Sequence, residues 1–426
     1  MEITLNGYYT LILATLVLLL GRLLVKKIKF LGDFNIPEPV AGGLIAAVIV
    51  YCLNWFFGYS FIFQKELQTA CMLMFFASIG LSADFGRLKA GGKPLIIFLF
   101  VVSGFILLQD AVGVGLASAL GLDPLLGLVA GSVSLTGGHG TAGAWGYTFE
   151  DKYGVVGATT LGIACATYGL VAGGVIGGPV AKRLTNKLGI KPTADTANAV
   201  SPSKVEQLAN DQSLYSTTHN LDDDTAHKQM FERPDNIRLI TASSAIETLA
   251  LFAACLAFAD IMTGVAKDTW FELPTFVWAL FGGVVIRNIL TTFFNFDMFD
   301  RAIDVFGNAA LSLFLAMALL SLKLWELTGL AGPVLIILAA QTLLMIGYAY
   351  FITFRTMGKD YDAAVLAAGH CGFGLGATPT AIANMQAITD RYIPSHKAFL
   401  IVPMVGAFFV DLVNVTILQA FLRMFG

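Results

Sequence analysis

The sequence predicts an all-α polytopic membrane protein, built from two inverted five-helix repeats that each carry a re-entrant hairpin. Three observations lead to this fold class: the composition, the number of long apolar runs and an internal repeat. Of the 426 residues, 56% are hydrophobic and only 13% are charged, whereas an ordinary soluble domain has about 25% charged residues. The mean hydropathy of +0.74 is incompatible with a surface that faces water over most of the chain.

Ten apolar runs are long enough to cross a bilayer as helices, which takes roughly 17 to 25 residues each. The expected spans are 8–25, 38–57, 67–86, 94–119, 156–181, 238–259, 273–293, 302–325, 331–354 and 397–422. The first run has no basic n-region and no cleavage site, so we expect a retained span and not a signal peptide. The five cysteines occur singly, so we expect neither disulfides nor a metal site.

A polar segment separates the ten spans into two halves. We expect an N-terminal repeat over 1–185, a linker over 186–235 and a C-terminal repeat over 236–426. The linker is rich in Ser, Thr, Asn and Asp and is expected to be disordered. If the N-terminus lies outside, 21 of the 26 Lys and Arg residues fall inside and five fall outside. The positive-inside rule therefore predicts periplasmic termini and a cytoplasmic linker.

An internal repeat runs through both halves at one fixed offset. A shift of 239 residues aligns 70–153 with 309–392 without a gap. The informative matches pair Pro94 with Pro333, Asp123 with Asp362, Thr141 with Thr380 and Tyr153 with Tyr392. Because each half has an odd number of spans, the second copy enters the membrane from the opposite face. Inverted repeats of this kind are typical of secondary transporters, which bind their substrates between the repeats near the midplane.

Two glycine-rich segments lie between the fourth and fifth span of each half. They read SLTGGHGTAGAW (134–145) and GFGLGATPTAIANMQ (372–386), and we expect re-entrant hairpins near 124–150 and 362–390. Irregular backbone at membrane depth occurs only where it is buried in protein or lines a watery cavity. Amide groups at such tips can hold a carboxylate, and carbonyl and hydroxyl oxygens can hold a cation. Close packing of small residues explains the glycines, but not Pro379 or the clustered hydroxyls.

Other polar residues inside apolar spans are further candidates, because intramembrane charge is usually functional. Asp411 and Asn414 share a helix face and would complete a sodium site or form an interhelical hydrogen bond; the sequence leaves both open. Asn308 and Ser312 share a helix face, but packing is the favoured explanation for them. Glu247 and Asp110 are candidate proton carriers or carboxyls with a bonding partner. Glu38 is a candidate for a dimer contact or a gate. His139 is a candidate donor to an anionic substrate, whereas His370 is expected to be structural.

Several motifs carry a family resemblance. They are IPEPVAGGL, SLTGGHGTAGAW, GNAALSLFLAMAL, FLIVPMVGAFFVDLVN and the long block from Met357 to Tyr392. With these motifs the chain resembles the bacterial sodium/glutamate symporter family over nearly its whole length except the linker, which is unusually long. The resemblance implies Na⁺-coupled uptake of L-glutamate across the inner membrane. It also implies that Gly137, Gly138 and Gly140 belong to the first loop motif, and that Gly372, Gly374 and Gly376 belong to the second.

The expected function is therefore import of glutamate by symport with Na⁺, through alternating access. The expected substrate-binding residues are Thr136, Gly137, Gly138, His139, Gly140, Thr141, Gly374, Gly376, Thr378, Thr380 and Asn384. The candidate Na⁺ ligands are Asp411, Asn414, Ser134, Thr378 and Gln386. The expected partners are L-glutamate, Na⁺, the lipid bilayer and a second copy of the chain, with no nucleic acid. A Na⁺-coupled citrate or dicarboxylate carrier and, less favoured, a membrane-embedded enzyme remain as alternatives; no charged ring indicates a channel.

Overall fold

The computed structural model describes residues 2–33, 36–190, 240–267, 269, 272–322 and 330–426. Helices dominate, and one short parallel pair joins β1 (Glu2–Thr4) to β2 (Ser60–Ile62). The helices of the first half are α1 (Gly7–Lys27), α2 (Lys29–Asp33), α3 (Glu38–Phe57), α4 (Lys65–Ser82), α5 (Phe85–Ala119), α6 (Pro124–Leu128), α7 (Gly138–Tyr153) and α8 (Ala158–Lys187). Those of the second half are α9 (Ala242–Ala266), α10 (Thr275–Phe293), α11 (Asp300–Leu320), α12 (Ala331–Tyr348), α13 (Phe354–Thr356), α14 (Tyr361–Leu375), α15 (Thr378–Thr389), α16 (His396–Met404) and α17 (Val410–Phe425).

Eight helices in the described ranges are long and apolar enough to cross a membrane, so the expected multi-pass membrane class is confirmed. They are Gly7–Lys27, Glu38–Phe57, Gly92–Ala119, Ala158–Lys187, Ala242–Ala266, Thr275–Phe293, Asp300–Leu320 and Ala331–Thr356. The expected spans 67–86 and 397–422 are helical but are not among the eight. The first coincides with α4, which opens with the polar residues KELQT. The second is divided by the π-helical turn Val405–Phe409 between α16 and α17.

Local sequence explains where the helices begin, end and break. The Asp123 and Asp360 side chains accept hydrogen bonds from Leu125 N and Ala363 N at 2.9 and 2.8 Å, and so cap α6 and α14. Within α5, Gly92 adopts φ +62° just before Pro94, because proline cannot continue the hydrogen bonds of the preceding turn. The spanning part of α5 therefore begins at the kink, close to the expected start at 94.

The helices divide into two bundles with separate packing. The flanking bundle contains α1, α3, α4, α9, α10 and α11, which pack mainly against one another. The hairpin bundle contains α5 to α8 and α12 to α17 around the largest apolar core. Each half of the chain thus gives three long helices to the flanking bundle and its remaining helices to the hairpin bundle. Most of the expected linker lies outside the described residues, which resume at 240.

Candidate functional site

Two helical hairpins form the centre of the hairpin bundle. The first hairpin consists of α6, a π-helical turn over Val129–Val133, a short tip and α7. The second consists of α14, a tip at 376–377 and α15. Gly138 begins α7 with φ +68°, a conformation that glycine adopts far more readily than other residues. The expected hairpins at 124–150 and 362–390 thus correspond to pairs of helices joined by a tip, over 124–153 and 361–389.

The two tips meet through buried hydrogen bonds. The Thr136 hydroxyl lies 2.6 Å from Gln109 Oε1 and 3.1 Å from Gly374 O, so its single proton is donated mainly to Gln109 and shared with Gly374. The Gln109 amide nitrogen also donates to Gly374 O, at 3.1 Å. A Cβ atom added to Gly138 would lie 3.5 Å from Gly376 O. The glycine-rich segments of the two halves are therefore neighbours, although 239 residues separate their equivalent positions in the chain.

Helix α8 packs closely against the second hairpin. A Cβ atom added to Gly169 would lie only 1.9 Å from Leu375 O, and one added to Gly173 would lie 3.1 Å from Gly372 O. The Asn384 amide nitrogen donates to Gly173 O at 2.9 Å and to Ala368 O at 3.3 Å. The Asn384 amide nitrogen therefore holds α15 against α8 and against the first arm of its own hairpin.

The remaining expected substrate residues occupy different surroundings. His139 is buried, and its Nε2 lies 3.0 Å from Thr167 Oγ1 on α8. Thr141 and Thr380, equivalent under the repeat, are both buried near the starts of α7 and α15, and Thr380 Oγ1 has no hydrogen-bond partner in the described part of the chain. A Cβ atom added to Gly140 would lie 2.5 Å from Phe75 Cε1, so this glycine faces the flanking bundle and not the opposite tip.

The expected Na⁺ ligands are not brought together as one set. Gln386 is exposed on α15, whereas Ser134 is fully buried beside α8. Thr378 lies next to Gly406 in the π-helical turn between α16 and α17. Asp411 is partly exposed on α17, whereas Asn414 is buried and donates to Ser132 O at 3.2 Å. Of the five side chains, only that of Asn414 forms a hydrogen bond with an arm of a hairpin in the described part of the chain.

Sequence reasoning missed two amides, Gln109 on α5 and Gln341 on α12. Both are fully buried, and Gln341 Nε2 donates to Gln109 O at 2.7 Å. The sequence signal was the pair QD at 109–110 inside an otherwise apolar span, of which only the carboxyl was singled out. A neutral amide in an apolar helix needs a hydrogen-bond partner as a carboxyl does, so the pair was a recognisable signal.

Other candidates lie away from the tips. Glu247 is exposed near the start of α9, where Ser243 Oγ donates to it at 3.4 Å. Glu38 forms an exposed ion pair with Arg22 at 3.3 Å. His370 Nδ1 lies 2.9 Å from Thr353 Oγ1, and four aromatic rings surround its imidazole. Asn308 is exposed on α11. Among these residues His370 is the exception, because a Cβ atom added to Gly374 would lie 3.4 Å from its Cδ2.

A cavity of about 620 Å³ lies between α7 and the flanking bundle. Its lining includes three cationic side chains, those of Lys65, Lys152 and Lys267, and two acidic ones, those of Asp151 and Glu272. Lys152 on the first hairpin donates to Glu272 Oε1 at 2.7 Å, across the gap to the segment before α10. The α7 residue of the lining that is nearest the first tip in sequence is Ala144. One turn closer to the tip, Phe75 and Leu311 pack against Gly140.

At the opposite end of α4, a buried arginine fixes the connection between the two bundles. Arg287 on α10 donates to Leu81 O at 3.2 Å and forms ion pairs with Asp84, at 3.3 Å, and with Asp300. Asn288 accepts from Phe85 N at 3.1 Å. The short segment from α4 to α5 is thus held on the flanking bundle, while the rest of α5 belongs to the hairpin bundle.

Comparison with known proteins identifies the family. The family model described as sodium/glutamate symporter matches residues 3–217 and 205–394. The chain belongs to the sodium/glutamate symporter family. It is 54% identical over 421 residues to a sodium/glutamate symporter of Haemophilus influenzae, covering 98% of each chain. It is 52% identical over 416 residues to sodium/glutamate symporters of Escherichia coli and of Shigella flexneri, covering 97% of each chain. The family resemblance read from the motifs is confirmed.

Proposed function

We propose that this chain imports L-glutamate across the bacterial inner membrane by symport with Na⁺, and that the tips of the two hairpins form the glutamate site. The function follows from membership of a family of symporters and not of enzymes. The site rests on one observation, the buried contact between Thr136 of the first tip and Gly374 O in the last turn of α14, directly before the second tip. A ligand at this meeting point would contact both halves of the chain.

The chemistry of the tips suits an amino acid with two carboxylates. Helices α7 and α15 begin directly after the tips. The first turn of a helix has free N–H groups and the positive end of the helix dipole, and both favour bound anions. Thr141 and Thr380 lie in or next to these first turns, and the unpartnered hydroxyl of Thr380 is available to a ligand. Each tip would therefore hold one carboxylate.

Inverted repeats and re-entrant hairpins are supported by the order of the elements. Under the 239-residue shift, the start of the spanning part of α5 at Gly92 corresponds to the start of α12 at Ala331. Gly138, which begins α7, corresponds to Ala377, directly before α15. Short connections join α5 to α6 and α7 to α8, so the first hairpin begins and ends on one side. The topology we propose has ten spans, periplasmic termini and a cytoplasmic linker.

Alternating access would occur between the two bundles. The contact of α7 with α4 and α11 passes through small residues: a Cβ atom added to Gly140 or Gly143 would lie 2.5 Å from Phe75 or 2.8 Å from Phe314. A surface of glycines against aromatic rings permits sliding without interlocked side chains. The connection held by Arg287 would serve as a fixed pivot. The cavity with Lys65, Lys152 and Lys267 would be the periplasmic entrance for an anionic substrate.

Uptake by the purified protein in liposomes tests the function. Labelled glutamate is offered with an inward Na⁺ gradient, without one, and with excess unlabelled glutamate, aspartate or citrate. We expect accumulation that requires the gradient and is blocked by unlabelled glutamate alone. Accumulation that citrate blocks would favour the carboxylate carrier, and no Na⁺-dependent accumulation would refute the proposal.

Orientation and assembly are tested separately. In a Cys52→Ser background, an impermeant maleimide added to intact cells should label Lys65→Cys but not Lys182→Cys, because both positions are exposed at opposite ends of the proposed topology. The reverse pattern would contradict the periplasmic N-terminus. A homodimer in the membrane also remains a prediction; crosslinking in native membranes should yield a species of twice the 45.5 kDa chain mass.

A further inference from the structure

Four buried polar side chains lie together where the first arm of the first hairpin departs from regular helix. They are Asp110 on α5, Ser132 in the π-helical turn, Gln341 on α12 and Asn414 on α17, and each is at most 1% exposed. Four separate elements thus direct polar groups to one place inside an apolar bundle. Polar groups are rarely buried in this way without bonding partners, because the loss of hydration is costly.

Backbone hydrogen bonds hold these side chains in place. Asp110 Oδ1 accepts from Ser132 N at 3.0 Å, and Asn414 Nδ2 donates to Ser132 O at 3.2 Å. Gln341 Nε2 donates to the carbonyl of Gln109, the residue next to Asp110, at 2.7 Å. The amide nitrogens and one carboxylate oxygen are thus used for positioning.

The remaining oxygens have no partner. Asp110 Oδ2, Ser132 Oγ, Gln341 Oε1 and Asn414 Oδ1 are all buried and lack a hydrogen bond within the described residues. One carboxylate, one hydroxyl and two amide carbonyl oxygens are the kinds of ligand that hard cations select. None of the ion pairs found in the described part of the chain involves Asp110. A cation bound among these oxygens would satisfy all four and balance the carboxylate charge.

A glycine in the π-helical turn leaves space for these polar side chains. Gly131, inside the π-helical turn, has the non-helical angles φ −102° and ψ −129°. A Cβ atom added there would lie 3.1 Å from Asp110 Oδ1 and 3.7 Å from Gln341 Nε2, so a larger residue would crowd the polar side chains. Turns of π-helix inside longer helices occur frequently at functional sites. The glycine and the irregular turn therefore serve the same polar cluster.

The depth of the cluster agrees with an ion site in a transporter. Asp110 lies nine residues before the end of α5, Gln341 ten residues after the start of α12, and Asn414 eleven residues before the end of α17. At 1.5 Å per residue, these positions are about 14 to 17 Å from the helix ends. That is roughly half of a hydrocarbon core of about 30 Å, the depth at which transporters bind coupling ions.

We propose that Asp110, Ser132, Gln341 and Asn414 bind a coupling Na⁺; the proposal rests on the Na⁺ symport proposed above. It replaces the sodium ligands expected from sequence except Asn414, because Ser134, Thr378 and Gln386 face other surroundings. The rival occupant is a proton on Asp110, which would neutralise the carboxylate and donate to at most one of the three neutral oxygens, leaving the other two without a partner. A rival ligand set would centre on Asp411, three residues before Asn414 on α17.

The test measures Na⁺ binding directly and without glutamate. The purified full chain in detergent is titrated with NaCl against choline chloride at constant ionic strength, and the unfolding temperature is recorded. A ligand that binds the folded state raises this temperature with a half-saturating concentration that reports its affinity. We expect Asp110→Asn and Ser132→Ala to raise the half-saturating Na⁺ concentration at least tenfold. Asp411→Asn should change it less than twofold, as should the matched control Asp260→Asn, an exposed carboxylate on α9.

The outcomes separate this proposal from the function on which it rests. Unchanged Na⁺ affinity in both Asp110→Asn and Ser132→Ala overturns the site, while Na⁺-dependent glutamate uptake by the unaltered protein still supports symport. A tenfold loss in Asp411→Asn alone moves the site to the rival ligands. Loss of pH dependence in Asp110→Asn uptake, with Na⁺ affinity intact, assigns a proton to Asp110 and also overturns the proposal. If the unaltered protein shows no Na⁺-dependent uptake, symport itself fails, whatever the titration shows.

Ser132→Ala keeps the backbone bond to Asp110, so it remains informative if Asp110→Asn does not fold.

Discussion

The proposed glutamate site depends on close contact between α8 and the end of α14 at the second tip, which Gly169→Ala should disrupt. The added methyl carbon would lie 1.9 Å from Leu375 O, where ordinary contact begins at 3.4 Å. The helix and the tip must therefore separate by about 1.5 Å, and both partners are backbone, which has little freedom to give way. Leu375 directly follows Gly374, whose carbonyl accepts two hydrogen bonds of 3.1 Å. A shift of this size would break both bonds.

The expected magnitudes follow from the geometry. Overpacking of this kind costs about 1 to 3 kcal/mol of stability. A displacement of roughly 1 Å in a positioned site can cost on the order of 100-fold in activity. We therefore expect Gly169→Ala to fold with a lowered unfolding temperature and to raise the half-saturating glutamate concentration by one to two orders of magnitude. The assay is initial-rate uptake into liposomes at saturating Na⁺.

Gly115→Ala is the matched control, on α5 of the same bundle. A Cβ atom there would have no atom of another element within 4 Å, and alanine favours helix more than glycine does. Uptake by this variant should stay within about twofold of the unaltered protein. A Gly169→Ala protein with unaltered glutamate affinity would refute the packing of α8 on the second tip, or the placement of glutamate there.

Two further variants test single interactions. Thr136→Val removes the hydroxyl that donates to Gly374 O and leaves Gln109 Oε1 without that donor. An unsatisfied buried group costs about 1 to 3 kcal/mol, so the half-saturating glutamate concentration should rise roughly 5- to 100-fold. Thr136→Ser keeps the hydroxyl, and near-normal affinity in this variant would show that the hydroxyl, and not packing, is responsible. Lys152→Met removes the ion pair with Glu272, in which the Lys152 side chain is 50% exposed and the Glu272 side chain 41% exposed. An exposed pair of this kind contributes about 0 to 1 kcal/mol, so the uptake rate should change about fivefold at most. The hydrogen bond to Glu272 raises the pKa of Lys152; the contribution of the pair to stability is therefore complete below about pH 10.4, the ordinary lysine value, and is lost as the pH rises through the higher pKa of the folded state. Uptake by Lys152→Met relative to the unaltered protein should thus be constant between pH 6 and 9, and a ratio that varies in this range would show that another group titrates.

Much of the architecture could be predicted because a bilayer imposes it on the sequence. Long apolar runs fix the spans, and glycine-rich interruptions mark where the backbone leaves regular helix. The weaker cases have local reasons: α4 begins with a polar turn, and the C-terminal span contains a π-helical turn. The polar opening shortens the apolar stretch of α4, and the π-helical turn divides the last span into α16 and α17.

Ligand assignment was less predictable, because it depends on which helices meet. Gln386 is a predicted Na⁺ ligand and Asn384 a predicted substrate ligand, but residues two apart on a helix point in nearly opposite directions; Asn384 is buried, and Gln386 is exposed. Helical geometry alone could have placed the two side chains on different faces. The roles of Gln109 and Gln341 could not be predicted in this way, because their partners come from the other half of the chain, 265 and 232 residues away.

The position of Gln109 gives a physical route for coupling between the two proposed sites. Its side chain holds the tips together through Thr136 and Gly374 O, and its carbonyl accepts from Gln341, a proposed Na⁺ ligand. Its neighbour Asp110 supplies the charge for the ion. Na⁺ bound at Asp110 and Gln341 would therefore fix the backbone that carries the Gln109 side chain, and the tips would be ordered before glutamate arrives.

Gln109→Leu separates coupling from binding, because it removes the amide and keeps the backbone carbonyl and most of the side-chain volume. Coupling between two ligands is reciprocal, and typical values correspond to about a 5- to 150-fold change in affinity. In the unaltered protein, saturating glutamate should lower the half-saturating Na⁺ concentration by the same factor by which saturating Na⁺ lowers that of glutamate. In Gln109→Leu both factors should fall together at least fivefold, while Na⁺ affinity without glutamate stays within about twofold. If Na⁺ affinity alone falls and the coupling factor survives, Gln109 is a positioning residue for the ion and the tips are coupled by another route.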